Sequence, residues 1–193
     1  MRLAIFASGG GSNFQSIVDS TISGQLSAEV VLCVASNPSA GVIKRAETLG
    51  IPVHVLPPSF PKDYPGPDQP NELLQVLAEH KVTFIALAGF MKLVPRFLIG
   101  QYPGAIVNIH PALLPKFGGK GMYGRNVHVA VLESGETESG ATVHLVDLEY
   151  DTGAIVLQEK VPVFPTDTPE ILAARVLKTE HSLYPKALQI FAK

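Results

Sequence analysis

Apolar residues fall in short unbroken runs rather than in strict alternation: 2–7 (RLAIFA), 29–35 (EVVLCVA), 52–56 (PVHVL), 83–88 (TFIALA) and 105–109 (AIVNI). Unbroken runs of strand length mark strands covered on both faces. Helix-like stretches at 12–22, 40–49, 70–80 and 95–101 separate them, which implies right-handed crossovers. Ser12 or Asn13 can cap the first helix, Gly50 follows the second, and Pro70 with Asn71 opens the third. Beyond residue 135 the rhythm changes. Strand-like 141–148 and 154–164 are joined by Tyr150-Asp151-Thr152-Gly153, which predicts an antiparallel hairpin, and a final helix is expected over 168–191. The sum is an α/β fold: an open, mostly parallel Rossmann-like sheet with a mixed C-terminal β-hairpin edge.

Composition narrows the class. A length of 193 residues predicts one domain over 1–193. Fifteen basic against 17 acidic side chains leave a formal charge of −2, without the basic face that nucleic acid needs. No apolar run approaches the roughly 20 residues of a membrane span, and the start lacks the signature of a secretory signal. A lone cysteine, Cys33, fits a reducing compartment. These features predict a cytoplasmic protein with neither a nucleic-acid nor a membrane partner; they do not give the oligomeric state.

Two stretches are too rich in turn residues to be scaffold: 57–70, with six prolines, and 115–124, with four glycines. In open α/β sheets the ligand lies beyond the carboxyl ends of the strands. The loops 8–13, 57–70, 89–94 and 110–124 are therefore expected to rim one crevice.

The loop Ser8-Gly9-Gly10-Gly11-Ser12-Asn13 joins the first strand to the first helix, where backbone N–H groups and the helix terminus favour an anion. It lacks the lysine of a triphosphate-binding loop. Phe14 stands where a dinucleotide fingerprint or a hydrolase elbow needs glycine, and Ser36-Asn37 stands where the fingerprint needs an acid. A single phosphate, such as a sugar phosphate, and a tight turn that binds nothing both remain open.

Asn108 and His110 interrupt an apolar strand two residues apart, so both point to one face. A buried amide and imidazole cost free energy unless partnered, and together they are what a developing oxyanion needs. Asp147, Glu149 or Asp151 from the hairpin turn could raise the pKa of His110 and keep it charged, and the sequence does not select among them. His54, His80, His128 and His181 read as surface or packing residues, and His144 as a structural residue of its strand. No cluster has metal-ligand spacing, so no metal is predicted.

With Ala88-Gly89-Phe90-Met91-Lys92-Leu93, Asn108-Ile109-His110-Pro111-Ala112-Leu113-Leu114-Pro115 and the Asp151 hairpin added to the glycine loop, the chain resembles the folate-dependent formyltransferases from residue 2 to about 191. The glycine loop and Thr179-Glu180-His181-Ser182-Leu183-Tyr184-Pro185 favour the branch that acts on glycinamide ribonucleotide in purine synthesis. The resemblance implies transfer of a formyl group from 10-formyltetrahydrofolate, a co-substrate, to the amine of that ribonucleotide. It assigns Gly11, Ser12 and Asn13 to the substrate phosphate, and Glu180 with Leu177, Lys178 and Thr179 to the glycinamide portion. Met91, Lys92, Leu93 and Val94, with Asp147, Leu148, Glu149, Tyr150 and Asp151, would hold the folate. Asn108, which also borders the folate, His110 and Asp151 would be catalytic, through an oxyanion held by Asn108 and a protonated His110 supported by Asp151.

The pattern departs from the family in two places. The 57–70 loop offers Lys62 where many relatives carry arginine. The 116–124 segment is longer than usual and reads as a lid or as a surface insertion, with Lys116, Lys120 and Arg125, placed to meet anionic substrates, favouring the lid. The rival readings are a 10-formyltetrahydrofolate hydrolase and a nucleotide-binding module without catalysis. A length of 193 residues leaves no room for the extra domain that the hydrolases usually carry, and a failed dinucleotide fingerprint argues against the module.

Overall fold

The computed structural model describes residues 1–62, 64 and 71–192. Pro70 and most of the proline-rich loop from 63 onward lie outside the described residues. The order is β1 (Arg2–Ala7), α1 (Ser12–Ile22), β2 (Glu29–Ala35), α2 (Val42–Thr48), β3 (Val53–Val55), α3 (Glu72–Glu79), β4 (Phe84–Leu87), α4 (Arg96–Gln101), β5 (Ile106–His110), α5 (Arg125–Glu133), β6 (Glu138–Leu145), β7 (Ile155–Pro162) and α6 (Pro169–Phe191).

The strands form one sheet in the order β3-β2-β1-β4-β5-β6-β7. The first five pair in parallel and the last two are added antiparallel. The expected open sheet with its mixed edge is thus present. β1 shows why its run is apolar throughout: Leu3, Ile5 and Ala7 join one core layer with Phe14, Ile17, Val176 and Tyr184, whereas Ala4 and Phe6 join the other with Leu73, Leu77 and Leu98. A side-chain period of two feeds both layers from a single strand. Cys33 is buried in β2, and burial pushes its thiol up to about 12.

The chain moves outward through β2 and β3, then returns to β4 on the other side of β1. The loops after β1 and β4 therefore diverge at this switch point, which opens a crevice. Tyr184, fully buried in α6, reaches the sheet there; its hydroxyl lies 2.9 Å from the Leu87 carbonyl and 3.1 Å from the Val107 carbonyl.

Three local expectations are corrected. Gly11, not Ser12 or Asn13, is the N-cap of α1, with φ +78° and no side-chain cap. A Cβ there would press against Val42, so the position needs glycine both for its backbone and for the close approach of α2. The helix α5 was not expected, because Val127, Val129 and Val131 alternate as a strand would; Val127, His128 and Val131 instead form the buried face of a helix. β6 begins at Glu138, three residues earlier than predicted. Asn71 does cap α3, its Oδ1 accepting from the Leu74 N–H at 3.2 Å, and Gly50 follows α2 at φ +67°. No described helix is long and apolar enough to cross a membrane.

Candidate active site

The carboxyl end of β5 carries Asn108 and His110 on one face, and the antiparallel register of β6 sets Asn108 opposite His144 and His110 opposite Thr142. Directly opposed residues share a face. The Thr142 hydroxyl donates to the Ala112 carbonyl at 2.6 Å and accepts from the Leu114 N–H at 3.1 Å. Gln158 Nε2 donates to the same hydroxyl at 2.8 Å. These bonds fix the turn that leaves His110.

Asp151 reaches this cluster from the β6–β7 hairpin. The turn places it at φ +59°. Gly153 follows because a Cβ there would run into the Leu145 carbonyl. Asp151 Oδ2 lies 3.5 Å from His110 Nδ1 and accepts from the Gly119 N–H at 2.9 Å. Its Oδ1 accepts from Asn108 Nδ2 at 3.4 Å and lies 3.4 Å from His144 Nε2. Of the three turn acids, the geometry selects Asp151. Asp147 instead accepts from Glu149 N–H and the Thr152 hydroxyl within the turn.

The tautomers follow from the partners. His110 Nε2 lies 2.8 Å from the Phe117 carbonyl, which can only accept, so Nε2 carries the proton. His144 Nδ1 donates to the Leu145 carbonyl at 2.8 Å, leaving Nε2 to accept from Asn108 Nδ2 at 3.1 Å. His144, expected to be a structural strand residue, therefore belongs to the cluster. Its signal in the sequence was the register: an antiparallel partner for β5 sets a residue of β6 across from Asn108.

Burial lowers the pKa of His110 below the ordinary 6.5; the Asp151 carboxylate and the Phe117 carbonyl act upward, and His144 downward. Asp151 thus acts upward on His110 as expected, against the larger downward effect of burial. Burial also pushes Asp151 upward. The neighbouring His144 and His110 side chains and the Gly119 N–H overcome this and hold its carboxyl below the usual range.

These residues floor a cleft of about 750 Å³ at the switch point. Among the expected residues, Met91, Lys92, Leu93, Val94, Asp147, Glu149, Tyr150, Leu177, Glu180 and Asn13 line it with the cluster. Gly11, Leu148, Lys178 and Thr179 do not line it, and Ser12 lines a neighbouring cleft of about 580 Å³. The described part of the 57–70 loop contributes no lining residue: Lys62 is exposed elsewhere, while Lys92 Nζ donates to the Phe60 carbonyl at 2.9 Å. In the 116–124 segment, Lys120 faces the cleft, but Lys116 pairs with Glu136 at 2.7 Å. Arg125 lines the rim paired with Glu170 at 2.9 Å.

Three buried residues complete the polar lining. Asn13 Nδ2 donates to Glu180 Oε2 at 2.6 Å, and Asn13 Oδ1 is buried without a partner among the described residues. Burial raises the Glu180 carboxyl above its ordinary value despite that bond. His128, expected to pack or lie at the surface, is buried at the cleft wall with Nδ1 unpartnered among the described residues. No group of three or more His, Cys, Asp or Glu that could hold a metal ion occurs among the described residues.

This chain belongs to the formyl transferase family, whose family model matches residues 1–188. It is 50% identical over 183 residues to a chloroplastic phosphoribosylglycinamide formyltransferase of Arabidopsis thaliana, covering 95% of this chain and 62% of that protein. The chain thus spans less than two thirds of the plant relative's length. A Haemophilus influenzae phosphoribosylglycinamide formyltransferase is 38% identical over 193 residues, 100% of this chain and 87% of the relative. The crystal structure of glycinamide ribonucleotide transformylase 1 from Geobacillus kaustophilus aligns with a TM-score of 0.88 at 42% identity, covering 100% and 98% of the two chains.

Proposed function

We propose that this chain transfers the formyl group of 10-formyltetrahydrofolate to the amine of glycinamide ribonucleotide, a step of de novo purine synthesis. Both substrates are water-soluble small molecules, and the proposed setting is the cytoplasm. The chemistry uses no metal and no nucleic acid. The observation that carries this reading is the meeting of Asn108, His110 and Asp151 on the floor of one cleft, with Asp151 within hydrogen-bond distance of Asn108 and ion-pair distance of His110.

In the proposed reaction the neutral amine attacks the formyl carbon and the carbonyl becomes an oxyanion. His110 Nε2–H donates to that oxygen once the Phe117 carbonyl has withdrawn. Asn108 supplies a second donor, the N–H now spent on its long 3.4 Å contact with Asp151. Losing one such donor typically costs about 100–1,000-fold in rate. As negative charge develops on the formyl oxygen, His110 takes up a proton from solvent at Nδ1, Asp151 beside Nδ1 stabilises the imidazolium, and the proton returns to solvent when the carbonyl re-forms. A water carries the proton from the attacking nitrogen to N10 of the folate, the C–N10 bond breaks, and tetrahydrofolate leaves. Positioning of two bound substrates supplies much of the remaining acceleration.

For binding, the N–H groups of Gly11, Ser12 and Asn13 are assigned to the ribonucleotide phosphate. The buried pair Asn13–Glu180, on the α6 stretch from Leu177 through Lys178 and Thr179, is assigned to the glycinamide amine. The buried Asn13 Oδ1, unpartnered among the described residues, supports this, since it offers an acceptor to an N–H donor. Met91 to Val94 and the 147–151 turn are assigned to the folate.

The test is a spectroscopic assay of folate product from purified protein with 10-formyltetrahydrofolate, with and without glycinamide ribonucleotide. Product only when both are present is expected. Product without the acceptor would replace the reading by hydrolysis, and no product with both would remove the substrate assignment.

A further inference from the structure

Arg45 lies outside the cleft just described, on the last turn of α2, yet its guanidinium is bonded to the glycine loop. Nε donates to the Gly10 carbonyl at 2.7 Å, and Nη1 donates to Gln15 Oε1 on α1 at 3.4 Å. The preceding peptide is held from the same side: the Val42 N–H donates to the Gly9 carbonyl at 3.0 Å. Gly41 and Val42 pack so closely that a Cβ on Gly41 would lie 3.2 Å from the Gly10 Cα and one on Gly11 2.8 Å from Val42 Cγ2. α2 therefore grips three successive glycines.

The consequence lies in peptide geometry. Both loop peptides are trans, and in a trans peptide the N–H points opposite to the C=O. With the Gly9 and Gly10 carbonyls turned toward Val42 and Arg45, the N–H groups of Gly10 and Gly11 point away from α2. Neither has a hydrogen-bond partner among the described residues. A glycine loop is free to rotate its peptides, and rotation of the Gly10–Gly11 unit would swing a carbonyl dipole to where an anion should meet an N–H. The bond from a charged guanidinium is the contact that opposes this rotation, and charge-assisted bonds are the stronger kind.

We infer that Arg45 is a positioning residue for the anionic end of the acceptor substrate: it locks the Gly10–Gly11 peptide so that the Gly11 N–H faces the phosphate. The inference rests on the reading that this loop holds the ribonucleotide phosphate. It adds a specificity determinant on α2, and Arg45 itself does not contact the reacting atoms.

The experiment compares Arg45→Gln and Arg45→Lys with the unaltered protein in steady-state kinetics, with inorganic phosphate as an inhibitor against glycinamide ribonucleotide. Arg45→Gln is expected to raise KM for the ribonucleotide about tenfold, equivalent to one factor of ten in affinity. The inhibition constant for phosphate should weaken by the same factor, with kcat and the KM for formyl-folate little changed. Arg45→Lys, which keeps a charged donor, should restore most of the loss. Unchanged KM and phosphate inhibition in Arg45→Gln would overturn the inference while leaving the phosphate reading standing. So would a matched rise in both Michaelis constants with a lowered melting temperature, the mark of a merely structural role. Failure of inorganic phosphate to compete in the unaltered protein would remove the phosphate reading itself, and the inference with it.

Discussion

Asn108 and His144 face each other across the β5–β6 pair, with Asn108 Nδ2 donating to His144 Nε2 at 3.1 Å. Because His144 Nδ1 is committed to the Leu145 carbonyl, its Nε2 can only accept in the neutral ring, and this orients the Asn108 amide. The register slips at Val143/His144 in the β6–β7 pairing, and such irregularities re-aim side chains beside active sites. Replacing His144 by Phe keeps the bulk and removes the acceptor. The expected result is a fall in kcat of about 10–100-fold, the scale of a mispositioned catalytic group, with Michaelis constants within about threefold of the unaltered protein. Steady-state kinetics on the folded variant checks it, and a kcat near the unaltered value would remove His144 from the mechanism.

Asp151 is held in a left-handed backbone conformation that Asn tolerates better than most residues, so Asp151→Asn is a clean removal of charge. The variant can still accept from the Gly119 N–H but can no longer stabilise a proton on His110. Turnover should fall by about 100-fold or more, on the scale of a lost oxyanion donor, while either Michaelis constant moves far less. A pH profile of kcat should also change, because the partner that raises the pKa of His110 is gone.

Stability should depend on pH with opposite signs from two sets of groups. Burial lowers the pKa of His54, His110, His128 and His181 below the ordinary 6.5. Below that value the unfolded chain binds more protons than the folded one, so stability is lost as the pH is lowered. Glu180 acts the other way: burial raises it, so its contribution is complete below the ordinary 4.5 and is lost as pH rises through its folded value. The urea midpoint is expected to drop between about pH 7.5 and 5.5, where four histidines outweigh one carboxyl. At about pH 8, Glu180→Gln should be at least as stable as the unaltered protein, because it removes an ionisable group from a buried site, and it should bind glycinamide ribonucleotide more weakly.

The parallel strands β1, β2, β4 and β5 were legible because most of their residues are buried on both faces and so read as apolar runs, whereas the edge strand β3 is short and half-buried. The helix α5 was not, since its valines carry the period of a strand and only packing on α6 and the sheet makes them helical. At the site, Asn108 and His110 stood out as polar residues in an apolar strand. Asp151 could not be chosen from three turn acids until the hairpin twist brought one of them 3.5 Å from His110. His144 was hidden because its role depends on cross-strand register, and Arg45 because its role depends on a backbone carbonyl 35 residues away. For His110 both the neighbouring acid and the burial were legible, but not their relative weight, which depends on how closely the fold packs around the ring.

The most direct test of the central claim is single-turnover formyl transfer by His110→Ala with both substrates saturating. The account predicts a rate lower by about 100-fold or more, the cost of a lost oxyanion donor, with both substrates still bound and Asn108→Ala similarly impaired. Formyl transfer by His110→Ala at a rate within a few-fold of the unaltered protein would contradict it.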